Sequence, residues 1–425
     1  MEITTIPKSL TKNVEVVAYN DLGGRGSGFK MSIKEHEGKM YMYVGHIFAR
    51  GWDILDITDP YHPQNVGFLE GPDNTFSLQV TQADDLMLLA LEEAGAGQKH
   101  RAHLWGFDLD KPNEEGVLLY DISDPVHPKY LSHFHTGGGG THRNAYYGGK
   151  YAYLAANMKG YKGNILVILD VSDPRNPQEV SRWWYPGQWL DGNEAEQYPA
   201  SPFTAYFHGP AYPVGPDPQN PEKLYLPYGR AGVIVLDVTD IRHPRKIGHM
   251  NIGDFGSIIG LHTVMPLPER NIAITTMESI WEDDRDPLNL VTVLDISKDN
   301  PKPIAVFPLP IPPKELGIAD FYEKGGKFGP HNVHLPMFNK SHAEFGNIVP
   351  VTYESAGVWF YDITHPGVPQ ICGYFIPEDP TVRRGPLPRE LATQSEDLVI
   401  DNRGFIYVTD KNYGIFVLKY KPEDN

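Results

Sequence analysis

The chain has 425 residues, with 54 Asp and Glu against 37 Lys and Arg, a formal charge of −17 and a sequence pI near 5.4. That uniform field repels phosphate, so nucleic acid and anionic membrane surfaces are excluded as partners and a small-molecule ligand fits better. The single cysteine, Cys372, excludes an intramolecular disulfide framework and any thiolate cluster for zinc or iron–sulfur, and reads as a part-buried small hydrophobe. Residues 1–10 lack a basic and then apolar leader, and no window reaches the roughly 20 apolar residues of a membrane span. The expectation is a soluble, cytoplasmic protein; oligomeric state is left open.

Aromatic residues at 12%, with 42 Gly and 38 Pro, point to an all-β chain of many tight turns. In chain order, a first short strand is expected at residues 14–18. A pattern of apolar strand, Asp and Pro-closed turn then begins at Leu55-Asp56-Ile57-Thr58-Asp59-Pro60. It returns as Tyr120-Asp121-Ile122-Ser123-Asp124-Pro125, Leu169-Asp170-Val171-Ser172-Asp173-Pro174 and Leu236-Asp237-Val238-Thr239-Asp240. Leu294-Asp295-Ile296-Ser297 and Tyr361-Asp362-Ile363-Thr364-His365-Pro366 follow, and a worn copy falls at Val417-Leu418-Lys419-Tyr420. Successive aspartates lie 65, 49, 67, 58 and 67 residues apart, the length of four short strands with variable loops. Asp and Ser/Thr bond their own backbone to start the turn and Pro stiffens it, so these aspartates are turn-formers. The same holds for His62, His127, His243 and His365, which lie in the turns. Each turn is followed by an outer strand, expected at 64–69, 129–134, 179–184, 246–250 and 370–375. Residues 313–322 are the best candidate for a short helix.

Together these elements predict one domain over residues 1–425, a seven-bladed β-propeller with ring closure by the N-terminal strand. The repeats run over approximately 28–72, 73–137, 138–201, 202–256, 257–326, 327–380 and 381–425. The strands Leu166-Val167-Ile168-Leu169-Asp170 and Gly232-Val233-Ile234-Val235-Leu236-Asp237 resemble the LVIVD-repeat propellers, and the resemblance extends over roughly residues 14–420. It implies the fold rather than a reaction.

Aligned on the Asp-turn, five successive repeats place a distinctive residue at the start of the innermost strand: His142, His208, His262, His331 and Glu396. Equivalent positions on inner strands converge on a propeller's axis, and neutral imidazoles gathered there suit iron, copper, manganese or zinc. A second register, at the end of the next strand, holds Glu92, Glu278 and Glu354. Glu278 is expected beside His262 and Glu354 beside His331, where a carboxylate fixes the tautomer of a metal-bound ring. Glu92 is expected to support a ligand from a neighbouring blade. His334 is expected to point off the axis, and His46 to line the channel mouth. Arg143, Arg230 and Lys411 are the cations placed to meet an anionic substrate, and Tyr228 or Tyr353 a candidate acid or base. Gly137 to Gly140 lack the helix and Lys-Ser/Thr pair of a phosphate loop and read as a loop entering the inner strand. The long segments 94–115, 185–201 and 311–328, rich in Trp, Tyr, Phe and Pro, are where a substrate pocket would be built.

The four-histidine pattern is similar to the carotenoid-cleavage oxygenases, seven-bladed propellers with an axial iron held by four histidines and oriented by glutamates. His142, His208, His262 and His331 correspond to the first set, and Glu278 and Glu354 to the second. The strand repeat is also related to that of the selenium-binding proteins, which include methanethiol oxidase. The function expected is a metal-dependent enzyme acting on a small organic molecule, of oxidoreductase or oxygenase type with one iron or copper ion. A lyase, hydrolase or isomerase using manganese or zinc as Lewis acid is the alternative, and a non-catalytic interaction scaffold the third.

Overall fold

The Asp-turns form as the local chemistry dictates. In all six clear copies the aspartate Oδ1 accepts from the backbone N–H two residues on, at 2.7–3.0 Å, as Asp56 does from Thr58 and Asp362 from Thr364. The computed structural model describes residues 5–93, 99–192, 194, 205–251, 257, 259–282 and 286–422. It is all-β, built as five four-stranded antiparallel sheets and one ten-stranded sheet. The ten-stranded sheet is two strand meanders joined by Gly140–Thr141, which pairs with Leu86–Glu93 on one side and Tyr151–Asn157 on the other. Gly140 makes this seam possible. Its φ is +90°, and a Cβ there would collide with the Leu91 carbonyl, so the glycine run lets two backbones close together. No phosphate cradle is needed to explain it.

Each outer strand carries one extra residue opposite its partner, always at the same place near the end of the Asp-strand. The bulged residues are Val66, Leu131, Val180, Ile247, Ile304, Cys372 and, on the N-terminal strand Val14–Asn20, Val17. Bulges sharpen the local twist of an edge. One repeated bulge makes Cys372 a member of an apolar series and gives Val14–Asn20, paired with Gly414–Tyr420, the outer place in the last sheet.

Contacts pass from each unit to the next and from last to first. Lys30 N donates to Leu78 O, Gly140 pairs with Glu92, and the Arg143 side chain reaches Gly209 O. Gly229 bridges Leu261, Thr276 Oγ1 donates to His331 O, Glu354 bridges Ser395, and Met31 N donates to Asp397. The apolar faces of successive sheets pack in clusters between them, for example Tyr153, Leu166 and Ile168 against Leu224, Leu226 and Ile234.

Some expectations need correction. Residues 313–322 form no α-helix: the chain makes two single 3-10 turns, Lys314–Leu316 and Phe321–Lys324, separated by Gly317 at φ +68°. The sheet of Ile348–Thr352, Val358–Asp362 and Gln370–Pro377 keeps its innermost strand only as a bridge between Val333 and Val351, and gains Ser9–Lys12 on its outer edge. Its first partner, Gln370–Pro377, is long enough at eight residues to take that extra strand. Lys302–Val306 is a further outer strand that the sequence pattern does not mark.

Candidate metal centre

His142, His208 and His331 are set by the same local bond. Their backbone N–H groups donate to the next strand, at Ala155 O, Pro227 O and Thr352 O, over 2.9–3.0 Å. His262 lies at the equivalent place in Leu261–Leu267. The repeat therefore brings four imidazoles side by side, with ring centroids 4.9 Å apart for His142 and His208, 4.4 Å for His208 and His262, and 4.2 Å for His262 and His331. Three of the rings are almost fully buried, and His142 is at the edge.

The ring nitrogens divide into inner and outer sets. The Nε2 atoms of His208, His262 and His331 all face the Glu278 carboxylate, at 3.5, 3.8 and 3.7 Å. Lys327 Nζ approaches the same carboxylate at 3.5 Å. The Nδ1 atoms point away: His142 to Glu92 at 2.7 Å, His262 to Thr263 Oγ1 at 2.9 Å and Arg143 Nη1 at 3.1 Å, and His331 to Glu396 Oε1 at 3.0 Å. His208 Nδ1 is buried without a hydrogen-bond partner. Where the partner is a carboxylate, as at His142 and His331, an Nδ1–H held by it leaves Nε2 directed inward, whereas the Arg143 guanidinium at His262 Nδ1 can only donate. His208, His262 and Glu278 offer ligand atoms within 4.8 Å of one another, and so do His331, Glu354 and Glu396. In the second group Lys411 Nζ already sits between the carboxylates, 3.0 Å from Glu354 and 2.6 Å from Glu396.

Burial sets the charge states. It pushes the His208 imidazole down to about 3 and His262 well below its ordinary value, so both rings are neutral near pH 7. For Glu278, burial favours the acid, but His331, Lys327 and the His208 hydrogen bond outweigh it and hold the carboxyl well below the usual range. Glu396 is held at about 2 because His331 and Lys411 overcome burial, whereas burial dominates at Glu354 and raises it to about 6. His331 is raised: burial lowers it, and Glu396 and Glu278 more than compensate. Glu354 also has a φ of +49°, at the turn position that Gly229 fills between Lys223–Pro227 and Val233–Asp237 with φ +54°. A glutamate there carries local strain that a structural turn does not require.

The remaining predicted residues fall outside this arrangement or serve it differently. Glu278, expected to bond a ring's far side, faces the inner Nε2 set, and Glu396, expected among the inner ligands, holds an Nδ1. Arg143 and Lys411 are not free to meet a substrate, since the guanidinium bonds Gly209 O, His262 O, Thr263 Oγ1 and Asn332 Oδ1 and the ammonium is bound by two carboxylates. The Tyr228 hydroxyl donates to Gln188 within a core of Trp183, Tyr185 and Phe207, and Tyr353 is buried among Phe328 and Tyr361. Arg230 is half-buried in the turn before Val233–Asp237. Both nitrogens of His334 are bonded elsewhere: Nε2 donates to Ala343 O and Nδ1 accepts from Ile400 N. His46 bonds Asp53 at 2.8 Å rather than lining the channel mouth. Of the pocket segments, residues 94–98, 193 and 195–201 lie outside the described residues, as does Phe203.

A small cavity opens onto His142, His262, His331 and Glu278, and onto Phe29, Lys30 and Gln79 near the chain's beginning. Lys30 is paired with Asp397 at 3.1 Å. Sequence reasoning missed Lys30, Lys327, Asn332 and Asp397. Asn332 and Asp397 directly follow members of the first register, which was a usable signal; Lys327 had none. No helix among the described residues is long and apolar enough to cross a membrane.

These are the features of an all-β chain of repeated four-stranded sheets with a buried His/Glu cluster. The LVIVD repeat family matches residues 139–183, which contain the Leu166–Asp170 strand and His142, so the chain carries an LVIVD repeat. No curated protein matches the chain. Among solved structures, one chain of a structure titled Mitotic Checkpoint Complex aligns over 99% of this chain and 97% of its own, at 8% identity and a TM-score of 0.52. The computationally designed Ika8 protein aligns over 95% and 98%, at 9% identity and a TM-score of 0.48. Likeness at this level concerns fold alone.

Proposed function

We propose that the chain is a seven-bladed β-propeller whose axis holds a catalytic transition-metal ion. The seven bulges at one structural position, the contacts that pass from last sheet to first, and the pairing of Val14–Asn20 with Gly414–Tyr420 support the closed ring.

The observation that carries the metal reading is the convergence of three Nε2 atoms on Glu278 at 3.5–3.8 Å, with two of those rings anchored at Nδ1. Ligand atoms about 2.0–2.2 Å from one ion lie roughly 3–3.5 Å apart, a spacing that the Nε2-to-carboxylate distances approach, with His208 and His262 facing one Glu278 oxygen and His331 the other. His208, His262, His331 and Glu278 would hold it, with His142 beside them. In this reading Glu92, Thr263 and Glu396 orient the rings. Five donors exceed the tetrahedral preference of structural zinc, and the imidazole majority favours iron or copper over manganese. When bound, such an ion supplies redox chemistry, which makes an oxidoreductase or oxygenase the reaction class. The substrate is a small organic molecule, placed in the cavity against Phe29 and Gln79 with Lys30 below it. Neutral His208 and His262 give the site no positive charge of their own, and burial excludes bulk water from it. The working compartment we infer is the cytoplasm.

Protein purified without chelator should contain about one iron or copper ion per chain and lose thermal stability in EDTA. Stoichiometric zinc or manganese, with no dioxygen consumed on a panel of small organic substrates, would favour the lyase, hydrolase or isomerase alternative. Metal-free protein indifferent to EDTA would remove both enzymatic readings and leave an interaction scaffold.

A further inference from the structure

Arg143 lies at the middle of the histidine series, 3% exposed, and touches the chain just after each of the other three rings. Its Nη1 lies within hydrogen-bonding reach of Gly209 O at 2.8 Å, His262 O at 2.8 Å, Thr263 Oγ1 at 3.0 Å and the His262 ring itself, at Nδ1, at 3.1 Å, and Nη2 donates to Asn332 Oδ1 at 2.9 Å. Gly209 follows His208, Thr263 follows His262, Asn332 follows His331, and Arg143 itself follows His142. One planar group thus spans four successive repeats at the point where each delivers its imidazole. The Asn332 amide is oriented from behind, because Nδ2 donates to Glu396 O at 3.0 Å and so leaves Oδ1 facing the guanidinium. Gly209, at φ +82°, has no room for a Cβ against the Arg143 backbone, which is how its carbonyl reaches the same centre.

A buried arginine surrounded by carbonyl, hydroxyl and amide oxygens and one imidazole nitrogen is costly unless its geometry is needed. A hydrophobic plug would fill the same space, yet only a rigid fork with several donors ties separate strands to fixed distances. We infer that Arg143 is the positioning residue of the histidine centre, setting the spacing of four imidazoles contributed by four sheets. Its role toward a metal rests on the metal reading above; its role in placing the rings does not.

The test uses the full chain with Co(II) as probe, comparing wild type with Arg143→Lys, which keeps the charge and loses the fork, and with Asn332→Ala, which cuts one strut. Arg143→Lys is expected to bind Co(II) about 10–100-fold more weakly and with an altered visible ligand-field spectrum, the range seen when groups that orient metal ligands are removed. Asn332→Ala should shift both in the same direction by less. Variants that melt lower but keep wild-type affinity and spectrum would overturn the inference, since a merely structural role lowers stability alone. If Arg143→Lys does not fold, Asn332→Ala carries the same comparison. If wild type takes up no Co(II), the metal reading fails, and metal-free crystal structures decide the positioning role. Displaced imidazoles in the variant support it, and unmoved ones overturn it.

Discussion

The chain builds the same chemical pair in two places. In the Asp-turns, His62, His127 and His243 bond Asp59, Asp124 and Asp240 at 2.7–2.9 Å, with histidine exposures of 76–81%. In the histidine cluster, His142 bonds Glu92 at 2.7 Å and His331 bonds Glu396 at 3.0 Å, with the second pair only 3% and 1% exposed. Distance does not separate the two groups; solvent does. In water the pair closes a turn and is screened, whereas in the interior the same contact fixes a tautomer and has no water to replace a lost partner. Geometry alone therefore says little about function unless burial and the second nitrogen are read with it. In the turns, Nδ1 takes the carboxylate in a histidine that is mostly in water. In the cluster, His331 Nε2 faces Glu278.

The largest effect that distinguishes the two regions is expected at Lys411. Replacing it with Met leaves Glu354 and Glu396 buried without their cation and should cost about 3–5 kcal/mol in denaturant unfolding of the metal-free protein. A cost near zero would mean that these carboxylates are neutral or hydrated, and the interior would lose its contrast with the turns.

A middle-sized effect is expected from acid. Burial lowers His334 to about 4 and His342 to about 3, against an ordinary value near 6.5. Below pH 6.5 the unfolded chain takes up protons that the folded rings refuse, so their contribution is complete above that pH and is lost as pH falls toward 4. The slope is up to about 1.4 kcal/mol per pH unit for each ring. His342→Asn should reduce the slope measured by unfolding between pH 6.5 and 4; an unchanged slope would place the proton uptake elsewhere. The smallest effect belongs to the turns. Replacing His62, His127 and His243 together by Ala should leave both melting temperature and metal content unchanged, since each ring is mostly in water. A loss of metal would merge the two regions.

Much of this was legible in the sequence because strand repeats preserve register. The backbone bond shared by His142, His208 and His331 follows from counting back from the Asp-turn, and the turn aspartates follow from their own chemistry. What register does not encode is which way a ring is rotated. That is why Glu278 and Glu396 exchange the sides expected of them. Nor does it show where a long side chain ends: Arg143 and Lys411 look like free cations in the sequence and are braces in the fold. Ser9–Lys12 was invisible because three of its four residues are polar and it joins a sheet made some 360 residues later.

Anomalous diffraction at the iron and copper edges, from crystals of protein never exposed to chelator, tests the centre most directly. The account predicts one peak among the Nε2 atoms of His208, His262 and His331, within about 2.3 Å of each, with Glu278 in contact. Density for water alone at that point in metal-supplemented crystals, with Glu278 still bonded to the rings, would contradict it.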